Sequence, residues 1–299
     1  MRSSHPPTLL KIAERTVVDD GVLAAGDLVM VAVSGGPDSM ALLHVMAKLA
    51  PRLGIGLVAH GVDHGLREAA PDELALAARF AADLGVPFSA SRVDVSAGPN
   101  VMARAREKRY GALREALRTA APALRTRSQG ARFIATGHHA DDRAETVLQR
   151  ILRGTGPRGL AVLSPRSNDL IRPFVRARRS DIRAHAERHR VPFVEDPTNG
   201  DSRFLRTRVR HEVLPLLVEL SPRIVEHLCD LADAADELST ADAALVPAVV
   251  EGHALGRAQR SALARALRLG NSRARVPLPG GKIAAVDLTS RRIVLIRAE

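Results

Sequence analysis

Asp27-Leu28-Val29-Met30-Val31-Ala32-Val33-Ser34-Gly35-Gly36-Pro37-Asp38-Ser39 decides how this chain is read. The apolar run after Asp27 has no polar interruption and is far too short to span a bilayer, so it reads as a strand buried on both faces. Ser34-Gly35-Gly36 breaks the run, and helical spacing then carries from Ser39 to Leu49, with Pro51 as the expected stop. A buried strand that turns through two glycines into a helix start points free backbone N–H groups at one spot, which suits an anion. Ser34, Gly35, Gly36, Pro37 and Ser39 are therefore candidates to cradle phosphates, and Asp38 to hold a Mg²⁺ ion on them. No Gly-Lys-Ser/Thr follows, so this is not a Walker loop. An ordinary turn between strand and helix is the plain alternative.

Working outward, a helix is expected from Thr8 to Val22, and a second strand from Ile55 to Ala59 leads into a loop, His60 to Arg67. A helix from Asp72 to Leu84 stops at Gly85-Val86-Pro87, and a strand follows over Phe88 to Val95. An arginine-rich helix (Val101 to Thr119), a loop (Ala120 to Gly130) and a strand (Arg132 to Thr136) open into Gly137-His138-His139-Ala140-Asp141-Asp142. Strands alternating with helices predict an α/β fold with a parallel sheet covered by helices on both faces. Ligands of such sheets bind beyond the carboxyl ends of the strands, so the loops at Ser34, His60 and His138 should converge. From residue 216 the character changes. Residues 221–270 are rich in Ala and Leu with an acidic face, and Leu278 to Arg297 reads as a small β unit with a turn at Pro279-Gly280-Gly281. A boundary near Pro215 would separate a catalytic domain, 1–215, from a smaller, mainly helical C-terminal domain, 216–299.

The chain has 299 residues, 45% hydrophobic and 26% charged, which argues for a globular protein and against a disordered or disulfide-framed one. Neither an 18-residue apolar run nor an apolar segment within Met1 to Lys11 is present, so no membrane span or secretory leader is expected. Cys229 is the sole cysteine, which excludes an intrachain disulfide and fits a reducing cytoplasm. The net charge of +11 is unevenly placed: −3 over residues 1–100, +14 over 101–210, −7 over 211–250 and +7 over 251–299. Only Lys11, Lys48, Lys108 and Lys282 are lysines, which a GC-rich coding sequence accounts for. Codon usage does not choose between basic and acidic totals, however, and the blocks suggest a polyanion touched by two surfaces. With aromatics at 2% and Tyr110 the only tyrosine, arginine–phosphate contact is favoured over base stacking.

Three further features carry chemistry. In Gly137 to Thr146, His139 stands near a helix start with Asp142, Glu145 and Thr146 on adjoining positions. A carboxylate and an imidazole there could bind Mg²⁺, orient an amine or move a proton, whereas Asp141 and Asp142 could equally be helix caps. Arg153-Gly154-Thr155-Gly156-Pro157-Arg158-Gly159-Leu160 suits close approach of a phosphate, or a plain flexible connection. The run Ile171-Arg172-Pro173-Phe174 through Arg179 precedes Glu195-Asp196-Pro197-Thr198-Asn199 and Asp201 to Leu217. Within the last, Arg203, Arg206, Arg208 and Arg210 recur with almost no acids among them, for which a solvated basic helix is the usual reading.

The Ser34–Ser39 loop resembles the PP-loop of the N-type ATP pyrophosphatases, whose fold is adenine nucleotide alpha hydrolase-like. Taken with Val62-Asp63-His64-Gly65-Leu66, Ala105-Arg106-Glu107-Lys108-Arg109-Tyr110, His139 to Thr146, Arg153 to Leu160, Arg172 to Phe174, Glu195 to Asn199 and Arg206 to Pro215, the chain resembles the tRNA(Ile)-lysidine synthase family over residues 26–217. The C-terminal part fits a short form of that family. His60 stands four residues before His64 where the family has three, so Gly61 reads as an insertion and His60 is left without a role. The resemblance implies an ATP-dependent ligase that joins free L-lysine to the wobble cytidine of the CAU-anticodon isoleucine tRNA through an adenylated base. Ser34, Gly35, Gly36, Pro37 and Ser39 would hold ATP, with Mg²⁺ on Asp38. His139 and Asp142 would lie near the reacting centre, Asp142 as countercharge to the lysine. Arg109 and Arg206 would stabilise developing charge, and Arg106, Glu145, Arg153 and Arg208 would contact substrate. The expected setting is the cytoplasm, and a homodimer is compatible with the sequence. A tRNA thiolase or a glutamine amidotransferase of this superfamily needs cysteines that are missing here, and a tRNA-binding protein with a vestigial nucleotide site would not need the intact loop.

Overall fold

All six residues of β1 (Leu28–Val33) are buried, and they alternate between two cores. Val29, Val31 and Val33 face one apolar layer, while Leu28, Met30 and Ala32 face another. This is the signature of a central strand in a sheet covered on both sides. The computed structural model describes residues 7–65, 69–94, 101–120, 130–195, 205–268, 275–278, 282–287, 289–290 and 292–297. The chain divides into two compact units, residues 1–149 with 163–229 and residues 150–162 with 230–299.

In the first unit the described elements run α1 (Leu9–Val18), β1, α2 (Pro37–Leu53), β2 (Gly56–Asp63), α3 (Ala70–Asp83), β3 (Phe88–Arg92), α4 (Val101–Ala120), β4 (Arg132–Ala135) and α5 (Ala140–Leu152). Then come β5 (Arg166–Ser167), β6 (Leu170–Ile171), α6 (Arg179–His189), the single turn α7 (Leu205–Arg208) and α8 (Leu214–Leu220). The sheet order is β3-β2-β1-β4-β6-β5, with β1–β2, β2–β3, β1–β4 and β4–β6 parallel and only the β5–β6 edge pair antiparallel. After β3 the chain crosses back to the other side of β1. The order therefore reverses between β1 and β4, which opens a crevice at their carboxyl ends. One layer holds α1, α2 and α6, through Leu9, Ala13, Leu42, Leu49 and Ile182; the other holds α4, through Tyr110, Leu113 and Leu117.

Several boundaries differ from expectation for identifiable reasons. Helix α2 starts two residues earlier, because Pro37 at the first helical position lacks only an N–H that has no partner there. It also continues past Pro51 to Leu53. One lost bond near a helix end does not stop it, and Gly54, at φ 64°, ends it by donating its N–H to Ala50. Strand β2 runs on through His60 and Gly61 to Asp63, where a loop was expected, since His60 pairs with Ala32 on one side and Ser89 on the other. His60 donates or accepts at both ring nitrogens, 2.8 Å from Ser89 Oγ and 2.9 Å from Ser91 Oγ, so it is a buried structural group. A Cβ on Gly61 would run into Leu74 and Phe88, which accounts for the glycine.

The second unit contains a 3₁₀ turn (Pro157–Leu160), the part of α9 (Ile224–Leu245) from Asp230, a short hairpin of β7 (Val249–Val250) and β8 (His253–Ala254), and α10 (Arg257–Arg268). Its antiparallel sheet β9 (Arg275–Leu278), β10 (Lys282–Asp287), β11 (Arg292–Arg297) starts before the expected Leu278. Leu263 and Ala264 of α10 pack on Val276, Ala284 and Val286 of this sheet. The turn Pro279-Gly280-Gly281 and the stretch Asp196 to Asn199, with Leu66 and Arg203, lie outside the described residues.

Candidate active site

The β1–α2 turn is built by its glycines and serines. Gly35 sits at φ 79°, and a Cβ there would lie 2.8 Å from the Cβ of Glu73. Any other residue would be strained twice over. Ser39 Oγ donates to the Gly36 carbonyl (3.0 Å) and accepts from the Ser34 N–H (3.1 Å), so this buried hydroxyl shapes the turn. Ser34 is exposed. The Gly35 carbonyl accepts from the Val194 N–H at 3.0 Å, which ties the segment after α6 to the turn. Across the crevice, a Cβ on Gly137 would lie 3.1 Å from the Asp38 carbonyl carbon and oxygen, so the β4 loop passes directly beneath the α2 start.

His139 caps α5, and the cap is reciprocal. The His139 N–H donates to Asp142 Oδ2 and the Asp142 N–H donates to His139 Nδ1, both at 3.3 Å. This is a capping box with an imidazole in the usual place of a hydroxyl. The His139 Nε2 lies 3.4 Å from Asp142 Oδ2 and 3.9 Å from Asp38 Oδ2, so the imidazole joins the two loops. The cap on α5 is thus made by Asp142, whereas Asp141 accepts from the Arg179 N–H and pairs with Arg178, which fastens the start of α6.

Glu145 is 1% exposed and surrounded by guanidinium groups. Arg210 Nε and Nη2 reach its two oxygens at 2.6 and 3.0 Å, Arg206 Nε at 3.2 Å and Arg179 Nη2 at 3.3 Å. Asp142 Oδ1 accepts from Arg206 Nη2 (2.8 Å) and Arg210 Nη2 (3.2 Å). Arg206 and Arg210 are four residues apart across the start of a π-helical turn (Val209–Val213), and both turn toward α5. Arg208 points elsewhere and pairs with Glu212 at 3.0 Å, mostly exposed.

A cavity of about 590 Å³ lies over this arrangement, within the range of small-molecule sites. Ser34, Gly36, Pro37, Asp38, Ser39, Arg109, Asp142 and Arg206 all line it. His139 is 1% exposed and stands behind Asp142, Glu145 is buried against the arginines, and the Arg106 guanidinium lies 5.0 Å over the Tyr110 ring. Arg153 belongs to the second unit. Glu73, Arg179 and Arg183 also line the cavity without having been read as site residues, as do His138, Glu195, Arg210 and His211, which the sequence named only as parts of longer motifs. The four-residue spacing of Arg206 and Arg210 was a usable signal, because it places them on one helix face.

Electrostatics separate the two carboxylates. Burial raises the Asp38 carboxyl above its ordinary value, although His139 pulls the other way. Burial acts on Asp142 in the same sense, but His139, Arg206 and Arg210 outweigh it, so Asp142 is held below the ordinary range and ionised. His138, whose Nδ1 lies 2.8 Å from Thr136 Oγ1, is pushed down to about 3 by burial and is neutral.

Residues 11–217 match a family model described as a PP-loop domain. The chain is 40% identical over 208 residues to a tRNA(Ile)-lysidine synthase of Thermotoga maritima, covering 68% of this chain and 48% of that protein. It is 37% identical over 270 residues to a tRNA(Ile)-lysidine synthase of Thermobifida fusca, covering 88% of this chain and 80% of that one. The chain thus spans about half the length of several curated relatives that it matches, including one of Ralstonia nicotianae at 51%. Among solved structures, a U34-tRNA thiolase of Methanococcus maripaludis has the same fold, with a TM-score of 0.57 at 16% identity over 77% of this chain and 78% of that one.

Proposed function

Since the chain belongs to the PP-loop domain family and, within it, to the tRNA(Ile)-lysidine synthase family, we propose that it joins free L-lysine to the wobble cytidine of the CAU-anticodon isoleucine tRNA, using ATP. The observation that carries this reading is the convergence of the α2 start with the His139–Asp142 cap across the β1/β4 crevice. In the first step O2 of the base attacks the α-phosphorus of ATP, and the α–β bond breaks with loss of pyrophosphate. In the second the lysine ammonium first gives up a proton to solvent, then its ε-nitrogen bonds to C2 of the base as the C–O bond to AMP breaks, and the nitrogen loses a second proton.

The residues fit a Mg²⁺-bound triphosphate. Gly36 lines the cavity with only the Ser34 hydroxyl, 3.8 Å away, near where its Cβ would be, Gly35 supplies the left-handed turn, and the α2 start offers backbone N–H groups. Asp38 supplies one carboxylate, in keeping with an ion that takes one or two carboxylates plus phosphate oxygens and water. When bound, the ion would neutralise phosphate charge. Ser34, Gly35, Gly36, Pro37 and Ser39 form the phosphate cradle. Asp142, ionised at neutral pH, faces the cavity as countercharge for the lysine ammonium, and buried His139 fixes its orientation. Arg109 and Arg206 point positive charge at the phosphates and at the activated base. The +14 block over residues 101–210 supplies the RNA-binding charge, with the +7 block at the end as a second contact. Action in the cytoplasm belongs to the same reading; among the described residues no helix is long and apolar enough to cross a membrane.

The test is to incubate the protein with ATP, labelled lysine and transcripts that differ only in their anticodon. Label should enter the CAU isoleucine transcript with one AMP formed per lysine joined. Absence of incorporation into that transcript would overturn the proposal.

A further inference from the structure

Asp142 and Glu145 meet more positive charge than they need. Arg206 touches two carboxylate oxygens, Asp142 Oδ1 at 2.8 Å and Glu145 Oε2 at 3.2 Å. Arg210 touches the same two, at 3.2 and 3.0 Å, and Glu145 Oε1 at 2.6 Å besides. Withdrawal of Arg206 would therefore leave neither oxygen without a donor, which removes the usual penalty for unpairing a buried carboxylate. Withdrawal of Arg210 would not be equivalent, since it takes the shortest bond to Glu145 away. Exposure follows the same division. The Arg206 side chain is 51% exposed, against 21% for Arg210. Arg206 also lines the cavity, as does Asp142.

We infer that Arg206 is an exchangeable counter-ion that occupies, in the free protein, the position on Asp142 to be taken by the ammonium group of the amine substrate, with Arg210 as the fixed clamp. This rests on the reading above, in which that amine is lysine. A guanidinium and an ammonium on one carboxylate oxygen compete, so docked Arg206 lowers the apparent affinity for the amine by the fraction of time the site is free. An anion in the cavity that attracts Arg206, a phosphate of the nucleotide or of the RNA, releases Asp142. Occupancy by the phosphate-bearing substrate is thereby coupled to capture of the amine. The amine is held weakly until something is present for it to react with.

The experiment is equilibrium dialysis of labelled lysine against the full chain, with no turnover required. In the absence of nucleotide and RNA, Arg206→Gln should bind lysine about tenfold more tightly than the unaltered protein, the effect of removing an intramolecular competitor docked roughly nine-tenths of the time. A non-hydrolysable ATP analogue alone and the CAU transcript alone are separate arms, which identify the phosphate source. At least one should tighten lysine binding by the unaltered protein and leave Arg206→Gln unchanged. Arg210→Gln should weaken lysine binding, and thermal melts of both variants check that they fold. Equal or weaker lysine binding by folded Arg206→Gln overturns the inference, as does an equal response of both proteins to the phosphate ligands. Failure of the functional reading itself is distinguishable, because the unaltered protein would then incorporate no lysine at all.

Discussion

Glu145→Ala is the sharpest probe of how this site is held together. Glu145 is 1% exposed, and four hydrogen bonds from Arg179, Arg206 and Arg210 end on it. The replacement does not cost all four, because Arg179 and Arg206 are 36% and 51% exposed and can turn to water. Arg210 is 21% exposed, loses bonds of 2.6 and 3.0 Å, and retains only Asp142. Charge-assisted bonds contribute about 1.5–3 kcal/mol each, and breaking a buried pair from one side costs about 3–5 kcal/mol. With Asp142 still in place the loss should be near the lower figure, about 3 kcal/mol. For a domain of this size that is a fall in Tm of roughly 6–12 °C. Differential scanning calorimetry at neutral pH reads it directly. Glu145→Gln, which keeps the shape but removes the charge, should fall by an intermediate amount. A drop below about 2 °C for the alanine variant would show that Glu145 does not anchor the arginines. The argument that it is structural would then fail.

Gly35→Ala should reduce ATP-dependent AMP formation more than tenfold and lower Tm by roughly 2–8 °C, because a side chain in the left-handed conformation costs about 1–2 kcal/mol and the contact with Glu73 distorts the phosphate cradle; a rate within twofold of the unaltered protein would contradict this. Asp38 has a raised pKa in the folded state, so its ionisation opposes folding at neutral pH. Asp38→Asn should therefore raise Tm at pH 7 and lose AMP formation, the gain in Tm vanishing as the pH falls through the raised value and then the ordinary carboxylate value. A lowered Tm at pH 7 would be the wrong sign. Away from the site, His44 Nδ1 lies 2.9 Å from His185 Nε2, and burial, with His189 adding like charge, pushes both down to about 4. The unfolded chain then binds more protons than the folded one between pH 6.5 and about 4, so stability should drop as pH falls through that window. A His44→Gln, His185→Gln double variant should drop less steeply, with Lys48, Arg188 and His189 the remaining charged or titratable neighbours; identical slopes in pH-dependent melts would refute the account.

The order of strands and helices in the first unit is legible through β1, an uninterrupted apolar run, and through the Gly and Pro residues that follow α2 and α3. The carboxyl half of β2 is not, because His60 and Gly61 look like loop residues, and only the strands on either side reveal why they are there. Strands β5 and β6 have two residues each, too few for any periodicity to register. In the site, Ser34 to Ser39, His139 and Asp142 announce themselves because their neighbours in sequence are also their neighbours in space. Glu145 reads as a substrate contact from the sequence, whereas its arginine partners lie 34 to 65 residues further along the chain. Pairing over such separations leaves no trace in local spacing. Arg208 and Arg206 look equivalent in a basic run, and only the helical turn separates one that faces α5 from one that faces Glu212.

The cap at the start of α5 assigns two duties to one pair of side chains. His139 Nδ1 and Asp142 Oδ2 hold the first turn of that helix, while His139 Nε2 faces Asp38 and Asp142 lines the cavity. A serine or threonine would serve as well for the turn alone, so the imidazole marks where a demand other than folding chose the residue. Knockouts at this point therefore mix two losses, a frayed helix start and a missing charge. Asp142→Asn keeps an oxygen to receive the His139 N–H while removing the charge. His139→Ser keeps an acceptor for the Asp142 N–H while removing the imidazole. Together the two variants turn one ambiguous lesion into two separable ones, with helix integrity read by thermal melting and chemistry by AMP release.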